Sequence, residues 1–156
     1  MNFTHLHVHT EYSLLDGSNK IKEYVDRVKA LGMDSAAITD HGVMYGVIDF
    51  YRAARAAGIN PILGCEVYVA PGSRFDREAG SGDDRYYHLV LLAENNQGYS
   101  NLMKIVSKGF VEGFYYKPRV DLSLLEKYHE GIIALSACLA GEVARFITRG
   151  MYEDAK

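Results

Sequence analysis

Apolar runs with strand character alternate with segments of helical period along nearly the whole chain, and this limits the fold more than any other feature. NFTHLHVH, SAAIT, PILGCEVYVA, YYHLVLLA and GIIALS read as five strands. Between them, NKIKEYVDRVKALG places Ile21, Val25, Val28 and Leu31 at helical spacing ahead of Gly32. VIDFYRAARAAG, closed by Gly58, is a second helix, GYSNLMKIVSKGF a third, and GEVARFITRG follows the fifth strand. DLSLLEKY reads as a short helix whose first amides Asp121 can cap. Strands separated by helices imply a parallel sheet, because parallel neighbours need a crossover. Five such units predict an α/β barrel or part of one, with a doubly wound open sheet as the alternative. Residues 71–85, polar and glycine-rich, read as a loop, and MYEDAK as the start of a further helix.

With 156 residues the chain suits one domain. A net charge of −3 and a pI near 6.1 give no basic footprint for coating nucleic acid. They leave room for an enzyme that takes a strand end into a metal site, because the ions themselves supply positive charge. Cys65 and Cys138 form no CxxC pair, which argues against a secreted disulfide scaffold and for a cytoplasmic protein. The N-terminus lacks the n- and h-regions of a signal peptide. No apolar run reaches the roughly 20 residues of a membrane span.

The chemistry concentrates in HLHVHTEYSLLDG, where His5, His7 and His9 alternate. Alternate residues of a strand share a face about 6.6–6.8 Å apart, an odd way to build a core and a reasonable way to hold a metal. His7 and His9 end the first strand, His41 follows the second in ITDHG, Glu66 lies in the third, and Cys138 follows the fifth in LSACLAG. Sites in α/β sheets assemble at the C-terminal strand ends, so four units deliver metal-capable side chains to one end. A lone strand-end histidine is more often structural, but a carboxylate such as Glu66 in an apolar strand calls for a cation. Cys138 is evenly balanced between buried hydrophobe and ligand. Cys65 faces the other way, into the core, and His129 lies in an exposed turn. His88 begins its strand instead of ending it, so spacing alone makes it structural.

HLHVHTEYSLLDG, ITDHG, GCEVYVAPG, YYHLVLLAENNQGYSNLMKIVS and LSACLAGE together resemble the polymerase-and-histidinol-phosphatase (PHP) domain. Within that family they are most similar to the amino-terminal PHP domains of bacterial DNA polymerase III alpha subunits. The resemblance runs nearly end to end. It implies a distorted (βα)7, TIM-like barrel with up to three divalent metal ions held by nine ligands. It carries over to His7, His9, Asp16, His41, Glu66, His88 and Cys138 as metal ligands, and so takes His88 out of the structural role that spacing alone assigns. Gly17 would let the loop turn Asp16 back toward the cleft. The family's last two ligands, an Asp-x-His motif, do not follow Cys138, so residues 1–156 are expected to be the N-terminal part of one domain, with about five barrel units. His5, where the wider family usually has Asp, and Asp40 are expected to support the ligands by hydrogen bonds.

Imidazole, carboxylate and one thiolate favour zinc, manganese or iron over magnesium. The implied activity is metal-dependent phosphoester hydrolysis, with Asp16, His9 and Glu66 as catalytic residues and 3′–5′ exonuclease proofreading as its use. The parent would be a DNA-directed DNA polymerase, with the DNA 3′ end and other replisome subunits as partners and no membrane. Alternatives are a structural metal-binding module without catalysis and a phosphatase such as histidinol phosphatase. Open edges at the first and fifth strands predict self-association of the chain.

Overall fold

The computed structural model describes residues 3–78 and 85–156. Among these described residues, five helices and six strands follow in the order α1 (Ile21–Ala30), β1 (Ser35–Ile38), α2 (Val47–Ala57), β2 (Asn60–Val69), β3 (Tyr87–Ala93), α3 (Asn96–Val111), β4 (Phe114–Tyr115), β5 (Lys117–Val120), α4 (Leu122–Tyr128), β6 (Ile132–Leu135) and α5 (Glu142–Thr148). Gly58 closes α2 in the left-handed conformation, at φ 78°, which a residue without Cβ adopts freely. Asp121 caps α4 by accepting from the Leu124 amide at 3.0 Å. The final residues form turns in place of the expected helix.

The sheet is mixed, which corrects the parallel expectation. Its order is β4-β5-β2-β3-β6, with β1 also paired to β2. β1 and β5 lie parallel to successive halves of β2, whereas β3 runs antiparallel to both β2 and β6. The cause is the link from β2 to β3, which carries no described helix: a chain that returns without a crossover pairs antiparallel. The fold is thus α/β with parallel and antiparallel strands.

The first expected strand also needs correction. Residues 3–9 are not a regular strand. They run beside β1 through Ala37 N–H to His5 O (3.1 Å) and Thr39 N–H to Val8 O (2.9 Å), and the Thr39 hydroxyl accepts from Val8 N–H (2.8 Å). Strands β4 and β5, in FYYKPRV, escape the sequence reading because Pro118 demotes a strand assignment; it sits where β5 pairs with the edge strand β4. Of the expected open edges, β6 lies at one end of the strand order, and the other end is β4.

Cys65, Val67, Val69, Tyr87 and Leu91 point from β2 and β3 into a core closed by Leu102, Ile105 and Val106 of α3 and Leu124 of α4. A second core joins α1 and α2 to β1 through Val25, Val28, Ile38, Val47 and Phe50. On the opposite face of β2 and β3, Val90 and Leu92 pack with Ala37. Glu66 pairs in register with Val90 and therefore shares that face.

Candidate metal centre

Glu66 is fully buried, and four imidazoles converge on its carboxylate. Oε2 lies 2.9 Å from His7 Nε2, 3.0 Å from His9 Nε2 and 3.2 Å from His41 Nδ1. Oε1 lies 3.0 Å from His88 Nδ1. Cys138 Sγ stands 3.8 Å from Oε1 and 3.6 Å from His88 Nδ1. Asp16 completes the ring through Oδ2, 2.8 Å from His41 Nε2. Of the seven expected ligands, His7, His9, His41, His88 and Cys138 thus meet around the buried carboxylate of Glu66, and Asp16 joins them through His41.

The backbone explains the convergence. The parallel ladder continues past β1, with Glu66 N–H donating to Asp40 O (3.1 Å) and Gly42 N–H to Glu66 O (2.9 Å), so His41 is held beside Glu66. His88 begins β3, but β3 is antiparallel, so its start lies at the end of the sheet where β1 and β2 finish. The strand-end rule therefore holds once strand direction is known. Cys138 follows Ala137, whose φ of 61° is unusual for a residue with a Cβ. Its turn is tied to β3 by His88 N–H donating to Ala140 O (3.1 Å).

Asp40 supports the site indirectly. Its buried carboxylate accepts from the Thr10 amide (2.6 Å) and hydroxyl (2.7 Å) and from the Ser13 hydroxyl (2.7 Å), fixing the turn that carries Asp16. Ser13 Oγ also accepts from the His41 amide at 3.1 Å. Thr10 and Ser13 were missed by the sequence reading; their hydroxyls between His9 and Asp16 were the available signal. Gly17 is required by proximity, because a Cβ there would lie 1.8 Å from the Thr10 carbonyl oxygen. His5 is exposed and packs edge-on against Phe3, with centroids 4.8 Å apart; among the described residues its ring hydrogen-bonds to no ligand, contrary to expectation. His129 is exposed and Cys65 is buried in the core, as expected.

Burial alone would push the Glu66 carboxyl up, but hydrogen bonds from His7, His88 and His9 outweigh it and hold the group well below the usual carboxylate range. His9 and His41 stack with centroids 4.1 Å apart. Burial, reinforced by the nearby His9, lowers His41; at His9 burial is overcome by the hydrogen bond to Glu66, and its pKa is raised.

The donor set fits divalent metal ions. His7, His9 and Glu66 form one group whose ligand atoms lie within 4.8 Å of one another, and His41, Glu66 and His88 form a second. His9 Nδ1 is buried without a hydrogen-bond partner, and His41 Nδ1, although 3.2 Å from Glu66 Oε2, is not aligned to hydrogen-bond with it; native interiors rarely leave such atoms unsatisfied. No helix among the described residues is long and apolar enough to cross a membrane.

The PHP domain family model matches residues 5–156. The DNA polymerase III subunit alpha of Treponema pallidum is 50% identical over 156 residues, covering 100% of this chain and 13% of the relative. That of Helicobacter pylori strain 26695 is 52% identical over 141 residues, covering 90% of this chain and 11% of the relative. Among solved structures, an amidohydrolase from Chromobacterium violaceum is 26% identical, covering 67% of this chain and 34% of its own, with a TM-score of 0.45. The chain thus spans only a small part of its polymerase relatives, while the family model takes in every one of the converging side chains: the protein belongs to the PHP domain family.

Proposed function

We propose that the chain is the N-terminal part of a PHP domain in a DNA polymerase III alpha subunit, and that its centre is a metal-dependent phosphoesterase acting as a 3′–5′ exonuclease. The observation that carries this reading is the meeting of His7, His9, His41, His88 and Cys138 around the buried Glu66 carboxylate, with Asp16 on His41. Those side chains would hold the ions, with zinc, manganese or iron suiting them best. Bound ions would supply a more acidic water and neutralise phosphate charge.

The chain's own residues set the geometry. Glu66, held ionised, fixes His7, His9 and His88 by hydrogen bonds, and Asp16 orients His41 from the solvent side. In the parent protein the partners would be a DNA 3′ end and replisome subunits, in the cytoplasm.

The test is removal of 3′-terminal nucleotides by the full-length polymerase. Asp16→Ala and His9→Ala should abolish it while polymerisation survives. Unchanged removal in both variants would overturn the catalytic reading. Metal retention by a wild type with no exonuclease activity would leave a structural metal module.

A further inference from the structure

We propose that Lys117 and Tyr68 form a phosphate-binding subsite that seats the substrate phosphodiester beside the histidine–glutamate centre; this rests on reading that centre as a phosphoesterase. Tyr68 follows Glu66 by two residues on β2 and so projects from the same face. In register it stands directly opposite His88. Its ring lies nearly parallel to His41 (centroids 6.0 Å, 11°) and edge-on to His88 (5.2 Å) and Tyr86 (4.9 Å). A Cβ on Gly42 would come within 2.9 Å of the ring, so the tyrosine is held from that side too. This clamped side chain has no hydrogen-bond partner for its hydroxyl among the described residues. The hydroxyl is therefore left free for a ligand that enters the pocket Tyr68 lines.

Lys117 supplies the charge. Its Nζ stands 5.4 Å from the Tyr68 ring centroid. Among the described residues no carboxylate lies within salt-bridge reach of it, although Lys22, Arg74 and Lys108 each hold one. Lys117 reaches this place because β5 pairs in parallel with the end of β2. Together with Asp16, His41, Tyr86 and His88, the two residues line a pocket of about 430 Å3. That volume lies within the roughly 300–1,000 Å3 of small-ligand sites. An unpaired ammonium and a free phenol on one wall, with a metal centre on the next, suit the oxyanions of a phosphate ester.

Calorimetric titration of the metal-loaded chain with inorganic phosphate and with thymidine 5′-monophosphate tests the subsite. Lys117→Ala should weaken binding of both at least tenfold, Tyr68→Phe less, and Lys117→Arg should restore most of it, with metal content unchanged in all three. In the full-length polymerase, Lys117→Ala should raise KM for 3′-nucleotide removal more than it lowers kcat. Equal phosphate binding by wild type and Lys117→Ala would overturn the subsite even where hydrolysis is intact. Lys117-dependent phosphate binding in a protein that hydrolyses nothing would uphold the subsite and defeat the phosphoesterase reading.

Discussion

The Asp40 carboxylate accepts the Ser13 hydroxyl at 2.7 Å, and the same hydroxyl oxygen accepts the His41 amide at 3.1 Å, so one buried acid fixes both the turn that carries Asp16 and the backbone of His41. Asp40→Asn places an amide N–H or a weaker acceptor opposite three donors. Metal affinity is expected to fall by about 10–100-fold, the usual effect of losing a group that orients ligands. Competition with a chelating dye measures it; wild-type affinity in the variant would refute the role.

Gly17→Ala tests the same turn sterically. The new methyl would meet the Thr10 carbonyl, and overpacking of this kind costs about 1–3 kcal/mol. Thermal melts should show the loss, accompanied by weaker metal binding as Asp16 is displaced. A variant as stable as wild type would mean the turn relaxes freely.

Metal should also stabilise the fold. An ion that binds only the native state at 100 times its Kd adds about 2.7 kcal/mol. Adding manganese or zinc is expected to raise Tm, chelator should reverse the rise, and Glu66→Gln should abolish it. Scanning calorimetry would show whether the rise survives the substitution, which it must not.

Acid should act through a second cluster. Asp121 is buried, which opposes ionisation, yet the Arg74 and Leu124 amides, the Ser123 hydroxyl and the Arg74 guanidinium outweigh burial and lower its pKa. A depressed carboxyl contributes its stability above the unfolded value, about 3.9, and loses it as pH falls through the folded one. Asp121→Asn should therefore cost about 1–2 kcal/mol at pH 7. The gap between the two proteins should narrow below pH ~4. Urea melts at pH 7 and pH 3 make the comparison, and a pH-independent gap would contradict the assignment.

Among the described residues β6 pairs on one side only, with β3, and Ile133 on it is 46% exposed. An open edge with apolar side chains recruits a second copy of the chain. Sedimentation should show concentration-dependent association that Ile133→Lys reduces. A monomer at all concentrations would rule this out.

Much of this was legible in the sequence because periodicity and caps are local. Val25 and Val28 at helical spacing, Gly58 after α2 and Asp121 before α4 each announced their element. Strand direction is not local. Residues 71–85 lack helical period, and that absence was the available sign that β3 returns antiparallel and brings His88 to Glu66. Pro118 hid β5, and with it Lys117. His5 shares the alternation of His7 and His9 but turns to Phe3 and solvent, because residues 3–9 are not held in a regular ladder.

The contacts of Glu66 reach 59 residues back to His7, 22 forward to His88 and 72 forward to Cys138. A bound ion would therefore report on the whole topology at once. Opening the sheet at β1, β2 or β3 would separate some of its ligands, so the rate at which the protein surrenders metal to a strong scavenger becomes a clock for its slowest collective opening, readable without any label on the chain.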